Sequence, residues 1–141
     1  MTKAQVVVGT FLKSSYQSFT TPTKFYSMVI GNGMIAKAFY NYQTDDRFIV
    51  FASGVSNSAT TNKHDYDREK ILLERTLADN KEKLLVYIST CSIYDSSLQQ
   101  SPYVLHKLDV ERQIATSGNK YLIFRVSNPV GFTSNKHTFL N

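Results

Sequence analysis

A single cysteine, Cys91, denies the chain an internal disulfide, which suits a reducing cytoplasm. The three histidines, His64, His106 and His137, are scattered and show no metal-ligand spacing. No apolar run approaches the ~20 residues needed to span a bilayer. Val6, Val7, Val8, Phe11 and Leu12 near the start give way at once to Ser, Thr and Gln, a poor signal peptide. The net charge is +5, yet lysines and arginines are interspersed with acids, as in Asp65 to Lys70 and Asp109 to Arg112. That mixture describes a solvated surface rather than a nucleic-acid stripe, and leaves nucleotide phosphates as the economical anionic ligand. Repeats and low-complexity tracts are also absent. What remains is one cytoplasmic domain of 141 residues, without a membrane or nucleic-acid partner.

Four short apolar runs stand out: Phe25 to Ile30, Phe48 to Ala52, Leu84 to Ile88 and Tyr121 to Val126. Each is nearly continuous rather than alternating, as strands of a parallel sheet covered on both faces require. Helical patterns lie between them. Met34, Ile35, Ala38, Phe39 and Tyr42 share one face, and about Asp67 to Asp79 carries Ile71, Leu72, Leu73 and Leu77 on another. A third helix is expected from Ser101 as N-cap and Pro102 as first residue, stopping at Gly118. Strand and helix alternate four times, which predicts a doubly wound α/β parallel sheet with right-handed crossovers. Residues 1–24 read as an N-terminal extension with weak order, and residues 25–141 as the compact domain.

Two segments carry chemistry. Gly31, Asn32, Gly33, Met34, Ile35 and Ala36 follow a strand and open a helix, a turn at which backbone can approach a pyrophosphate. Alone, such a turn is a weak signal. Further on, Ser89 to Tyr94 end the third run, and Tyr103 and Lys107 follow one helical turn apart. A phenol beside an ammonium, facing a hydroxyl at a strand end, can move a proton on and off a carbonyl or alcohol oxygen. The opposing reading is that Tyr103 packs in the core, since Tyr and Lys fall at this spacing often by chance. Cys91 and Ser92 read as packing or capping residues, and His106 as a surface residue on another side of the helix. Asp45 and Asp46 read as turn residues rather than ribose ligands, which leaves the adenosine side without a grip.

In these motifs, taken in order, the chain resembles the short-chain dehydrogenase/reductase superfamily, in particular its extended branch, the NAD-dependent epimerase/dehydratase family. The resemblance spans about residues 26–132. It rests on the glycine turn, Phe51-Ala52-Ser53-Gly54 after a strand, Ser89-Thr90-x-x-x-Tyr94, Tyr103-x-x-x-Lys107 and Arg125-x-x-Asn128-x-x-Gly131. It implies a Rossmann-like sheet, shortened because the second and third strands are missing between Tyr42 and Phe48. It implies Thr90, Tyr103 and Lys107 as catalytic residues: Thr90 holds a substrate oxygen, Tyr103 is the general acid/base, and Lys107 favours the phenolate and reaches the nicotinamide ribose. It further implies Gly31, Gly33, Met34, Ile35, Ala52, Ser53, Lys107, Asn128 and Val130 as cofactor-binding, with no metal. The cofactor is NAD or NADP, with NAD preferred because no basic residue follows a recognisable second strand. The implied activity is that of an oxidoreductase, epimerase or dehydratase on a nucleotide sugar in surface polysaccharide synthesis.

The chain departs from this pattern in three respects. The second and third strands and their helix are missing between Tyr42 and Phe48, Glu69 stands roughly where the family often has an asparagine, and the C-terminal substrate region is absent. A non-catalytic or degenerate dinucleotide-binding module, or an inactive truncated product, is therefore the alternative. Nine tyrosines and nine phenylalanines are compatible with a homodimer.

Overall fold

The computed structural model describes residues 27–127 and 129. The N-terminal extension, Phe25, Asn128, Val130 and Gly131 lie outside the described residues. Four strands, β1 (Val29–Ile30), β2 (Phe48–Phe51), β3 (Leu84–Thr90) and β4 (Tyr121–Val126), form one all-parallel sheet in sequential order. Between them run three α-helices: α1 (Met34–Ala38), α2 (Lys63–Asp79) and α3 (Pro102–Thr116). The chain is an α/β protein.

The apolar runs mark the strands because each supplies residues to both faces of the sheet. Ile49, Phe51, Leu85 and Tyr87 pack under Leu73 and Leu77 of α2 and Val110 and Ile114 of α3. Val29, Val50 and Val86 point the other way, against Ala36 of α1 and the adjoining Phe39. Helices thus cover both faces, unequally. Among the described residues only the short α1 lies on the second face, and β4 departs from the expectation of strands buried on both sides. Its Leu122 and Phe124 are 42% and 46% exposed.

The first helix is shorter than its apolar spacing predicts. It stops at Ala38, and a 3₁₀ turn at Tyr40–Tyr42 replaces the rest. The second begins earlier, at Lys63, because the Asn62 side chain accepts a hydrogen bond from the His64 N–H and caps it. The third matches its expected start: the Ser101 hydroxyl accepts from the Val104 N–H, with Pro102 in the first turn. Lys70 of α2 pairs with Asp109 of α3, and Gln113 donates to Glu74 at 3.1 Å, so the two helices are tied along their length.

The crossovers are not all right-handed. With parallel strands in sequential order, connections that pass over opposite faces have opposite hands. The helix α1 passes over one face and α2 and α3 over the other, so β1–α1–β2 is opposite in hand to the two crossovers that follow. The general rule comes from a twisted strand feeding a helix that packs back onto the same sheet. Here the helix has five residues and is followed by a tight turn, and it packs on Val29, Val50 and Val86 through Ala36 and the adjoining Phe39.

Leu73 is fully buried between the sheet and α3. Leu73→Ala is expected to lower unfolding free energy by about 2–5 kcal/mol, measured by urea denaturation, since a truncated core leucine loses transfer energy and leaves a cavity.

Candidate functional site

The carboxyl ends of the four strands open onto a cleft of about 930 Å³. Its wall is made of the residues that follow or end each strand: Gly31 to Ile35 after β1, Ala52 to Ser56 after β2, Ser89 and Thr90 of β3, and Ser127 and Pro129 after β4. The cleft begins where β1 sends its helix to one face and β2 sends its helix to the other. In open parallel sheets that switch point is where ligands bind, because the two connections diverge and leave a crevice.

Gly31 makes the turn at the end of β1. Its φ is +126°, and a Cβ there would lie 2.5 Å from the Ala52 carbonyl oxygen. Only glycine lets β1 press this closely on the end of β2. At Gly33 a Cβ would meet nothing within 4 Å, so the space above the turn is open.

The structure brings Gly31, Gly33, Met34, Ile35, Ala52, Ser53, Thr90, Tyr103 and Lys107 to this one cleft. Asn128 and Val130 lie outside the described residues. Three further positions matter, and sequence reasoning assigned no site role to any of them. Lys37 and Arg68 line the cleft, and the Arg68 guanidinium donates to the Ser53 hydroxyl at 3.3 Å and its carbonyl at 3.2 Å. Among the described residues that line the cleft there is no Asp or Glu. The third is Glu69.

Glu69 is completely buried behind the cleft wall. Its Oε1 accepts from Tyr87 Oη at 2.6 Å and Lys107 Nζ at 2.9 Å. Its Oε2 accepts from the Val55 N–H at 2.7 Å, His106 Nε2 at 2.9 Å and Lys107 Nζ at 3.3 Å. Burial alone would raise the Glu69 pKa, but the His106 bond, the Lys107 charge, the Tyr87 hydroxyl and the Val55 N–H overcome it. They hold the carboxyl at about 2. A carboxylate oxygen only accepts, so His106 Nε2 carries the proton in this bond.

His106 is therefore buried, 7% exposed, and not a surface residue. It stands three residues after Tyr103, and positions i and i+3 are neighbours on one helix face. Its ring lies against Tyr66 of α2 with centroids 4.5 Å apart.

Lys107 also differs from expectation. Burial lowers its pKa below the ordinary lysine value, and the Glu69 carboxylate opposes this in part. The ion pair is the state its surroundings require, because Nζ faces the two carboxylate oxygens and Tyr87 Oη at 3.0 Å. The two oxygens of one carboxylate are too close together to take separate N–H groups of one ammonium, so Glu69 and Tyr87 engage two of its three donors. With Glu69 neutralising its charge, the ammonium, 5.8 Å from the Tyr103 ring centroid, gives that phenol little help toward its phenolate. Burial raises the Tyr103 pKa above the ordinary phenol value, and the hydrogen bond with Thr90 opposes this only in part. Tyr103 is a protonated phenol at neutral pH.

The Ser89 hydroxyl points away from this group and donates to Glu111 at 2.6 Å. Glu111 in turn accepts from Arg125 Nε at 3.0 Å and Nη2 at 2.6 Å, a two-pronged pair that ties β4 to α3. Thr90 remains beside Tyr103, and its hydroxyl accepts from the Ser92 N–H.

Gly54 allows the buried pair to approach the cleft wall. A Cβ there would lie 2.7 Å from Lys107 Nζ and 2.8 Å from Glu69 Oε1. Gly54→Ala is expected to cost about 1–3 kcal/mol in urea denaturation through this overpacking. The depressed Glu69 pKa carries a second expectation. Its stabilisation is present above the unfolded-state value of 4.5 and is lost as pH falls toward about 2. The loss amounts to at most roughly 3 kcal/mol. Urea midpoints between pH 5 and pH 2 should fall more steeply in the native chain than in Glu69→Gln.

No protein-family model matches the chain, and searches of curated proteins and of solved structures return no match.

Proposed function

We propose that this chain is an NAD(P)-dependent oxidoreductase of the short-chain dehydrogenase/epimerase kind, built on a shortened Rossmann-like sheet. One observation carries the reading: a single cleft at the strand ends joins the glycine turn to Thr90, Tyr103 and Lys107. The reversed crossover supports it too. In a doubly wound sheet, helices before and after the switch point cover opposite faces. Removing two strands between α1 and β2 leaves α1 on its own face and joins it directly to β2.

The residues present fit a dinucleotide. The turn at Gly31 to Gly33 is open to a ligand, and the wall carries Lys37 and Arg68 without an acid. That polarity favours the phosphates. It offers no carboxylate for an adenosine ribose diol, so the wall gives NAD no advantage over NADP. When bound, the cofactor would supply or take a hydride at a substrate carbon. Tyr103 gives its phenolic proton to the adjoining oxygen in reduction and takes it back in oxidation, while Thr90 orients that oxygen. A nucleotide sugar as substrate, and a place in surface polysaccharide synthesis, follow from the resemblance.

A non-catalytic dinucleotide-binding module is the second reading, and the engagement of Lys107 by Glu69 and Tyr87 favours it. Thermal denaturation with NADH and with NADPH tests their common premise. Saturation at 100 times Kd should add about 2.7 kcal/mol to stability. Gly33→Asp, at a position with room for a side chain, should keep the unliganded Tm and lose the ligand shift by repelling phosphate. No shift in the native chain with either cofactor would overturn both readings. Tyr103→Phe then separates them, since an enzyme loses NAD(P)-linked turnover of nucleotide sugars while retaining its Tm shift.

A further inference from the structure

Lys107 is 2% exposed, Glu69 has no exposure, and neither belongs to the hydrophobic clusters. We propose that Glu69 is a positioning residue that keeps Lys107 an ammonium and fixes its Nζ at the cleft wall. The proposal rests on the dinucleotide reading above for its ligand, but the Glu69–Lys107 relation is readable without one.

The geometry is that of a holder on the far side of a working residue. Lys107 lines the cleft, whereas Glu69 stands behind it and reaches it past Gly54. A neutral amide at position 69 could not do the same. It has one acceptor oxygen where Glu69 offers two, and its NH₂ would face the ammonium or the Val55 N–H, donor against donor. The carboxylate also explains why a cation persists in so dry a place, because a lone buried ammonium gives up its proton.

The groups facing the pair come from every element around it. Glu69 and Tyr66 are on α2, Tyr87 on β3, and Tyr103, His106 and Glu111 on α3, while the Val55 N–H precedes α2. Glu111 is already paired with Arg125. Among these groups, Glu69 is the one acid bonded directly to Nζ.

The test is a titration of Lys107 by ¹⁵Nζ lysine NMR, assigned by its loss in Lys107→Met, in the native chain, Glu69→Gln and Glu69→Asp. It runs in parallel with NADH and NADPH affinities by fluorescence from pH 6.5 to 9. The native Lys107 should stay charged across this range, with affinity constant to about twofold. In Glu69→Gln, burial without a counter-ion should bring its deprotonation into the range, and affinity should fall about tenfold from the acid to the alkaline end. Glu69→Asp should restore the flat profile.

Native Lys107 losing its proton below about pH 8 would overturn the proposal, and that measurement does not depend on any variant folding. So would a folded Glu69→Gln with an unchanged Lys107 titration. If neither cofactor binds the native chain, the dinucleotide reading fails by itself, and the lysine titration still decides the role of Glu69.

Discussion

A buried carboxylate with five donor contacts from four partners organises the back wall of this cleft. Glu69 reaches from α2 to Tyr87 on β3, to His106 and Lys107 on α3, and to the Val55 N–H just after β2. Burying either charge alone would cost several kcal/mol, and only the full set of bonds offsets it. The relative placement of two helices and a strand is thereby tied to one side chain. Among the described residues no buried side-chain polar atom lacks a partner, so this network is complete.

A second acid plays a related part at the edge of the sheet. Glu111 collects Ser89 of β3 and Arg125 of β4, and Arg125 Nη1 donates to Tyr94 Oη at 2.6 Å. The two carboxylates thus meet α3 one turn apart, Glu69 at Lys107 and Glu111 from the helix itself. One anchors the exposed edge strand and the other holds Lys107 at the cleft. Their division of labour explains why Ser89 is occupied elsewhere and Thr90 is the hydroxyl beside Tyr103.

Much of the secondary structure was legible in the residues. Continuous apolar runs such as Leu84 to Ile88 persist as strands because both faces of a central parallel strand are covered. Ser101 and Pro102 placed the start of α3, since their capping chemistry is local. The first turn of α2 was less legible. Lys63 to Asp65 are polar, and the signal there is a cap at Asn62 rather than a periodic face. The early stop of α1 and the exposed β4 were illegible because they depend on which neighbours cover each face. The site was legible as a set of positions: the glycine turn and the Thr90, Tyr103, Lys107 series do share a cleft. Its electrostatics were not. Nothing in the string of residues around Glu69 says that it will lie against a lysine 38 positions later.

The sequence by itself determined the order of strands and helices, where β1 turns, and which side chains carry chemistry. These follow from apolar period, caps and the conformational range of glycine, all of which act within a few residues. Tertiary structure alone decided the hand of the first crossover, the burial of His106, the engagement of Lys107 and the protonated state of Tyr103. Each depends on a charge or a packing surface brought from a distant part of the chain. A pKa responds to what surrounds a group in space, and residue order does not specify those surroundings until the sheet and its helices have closed around it.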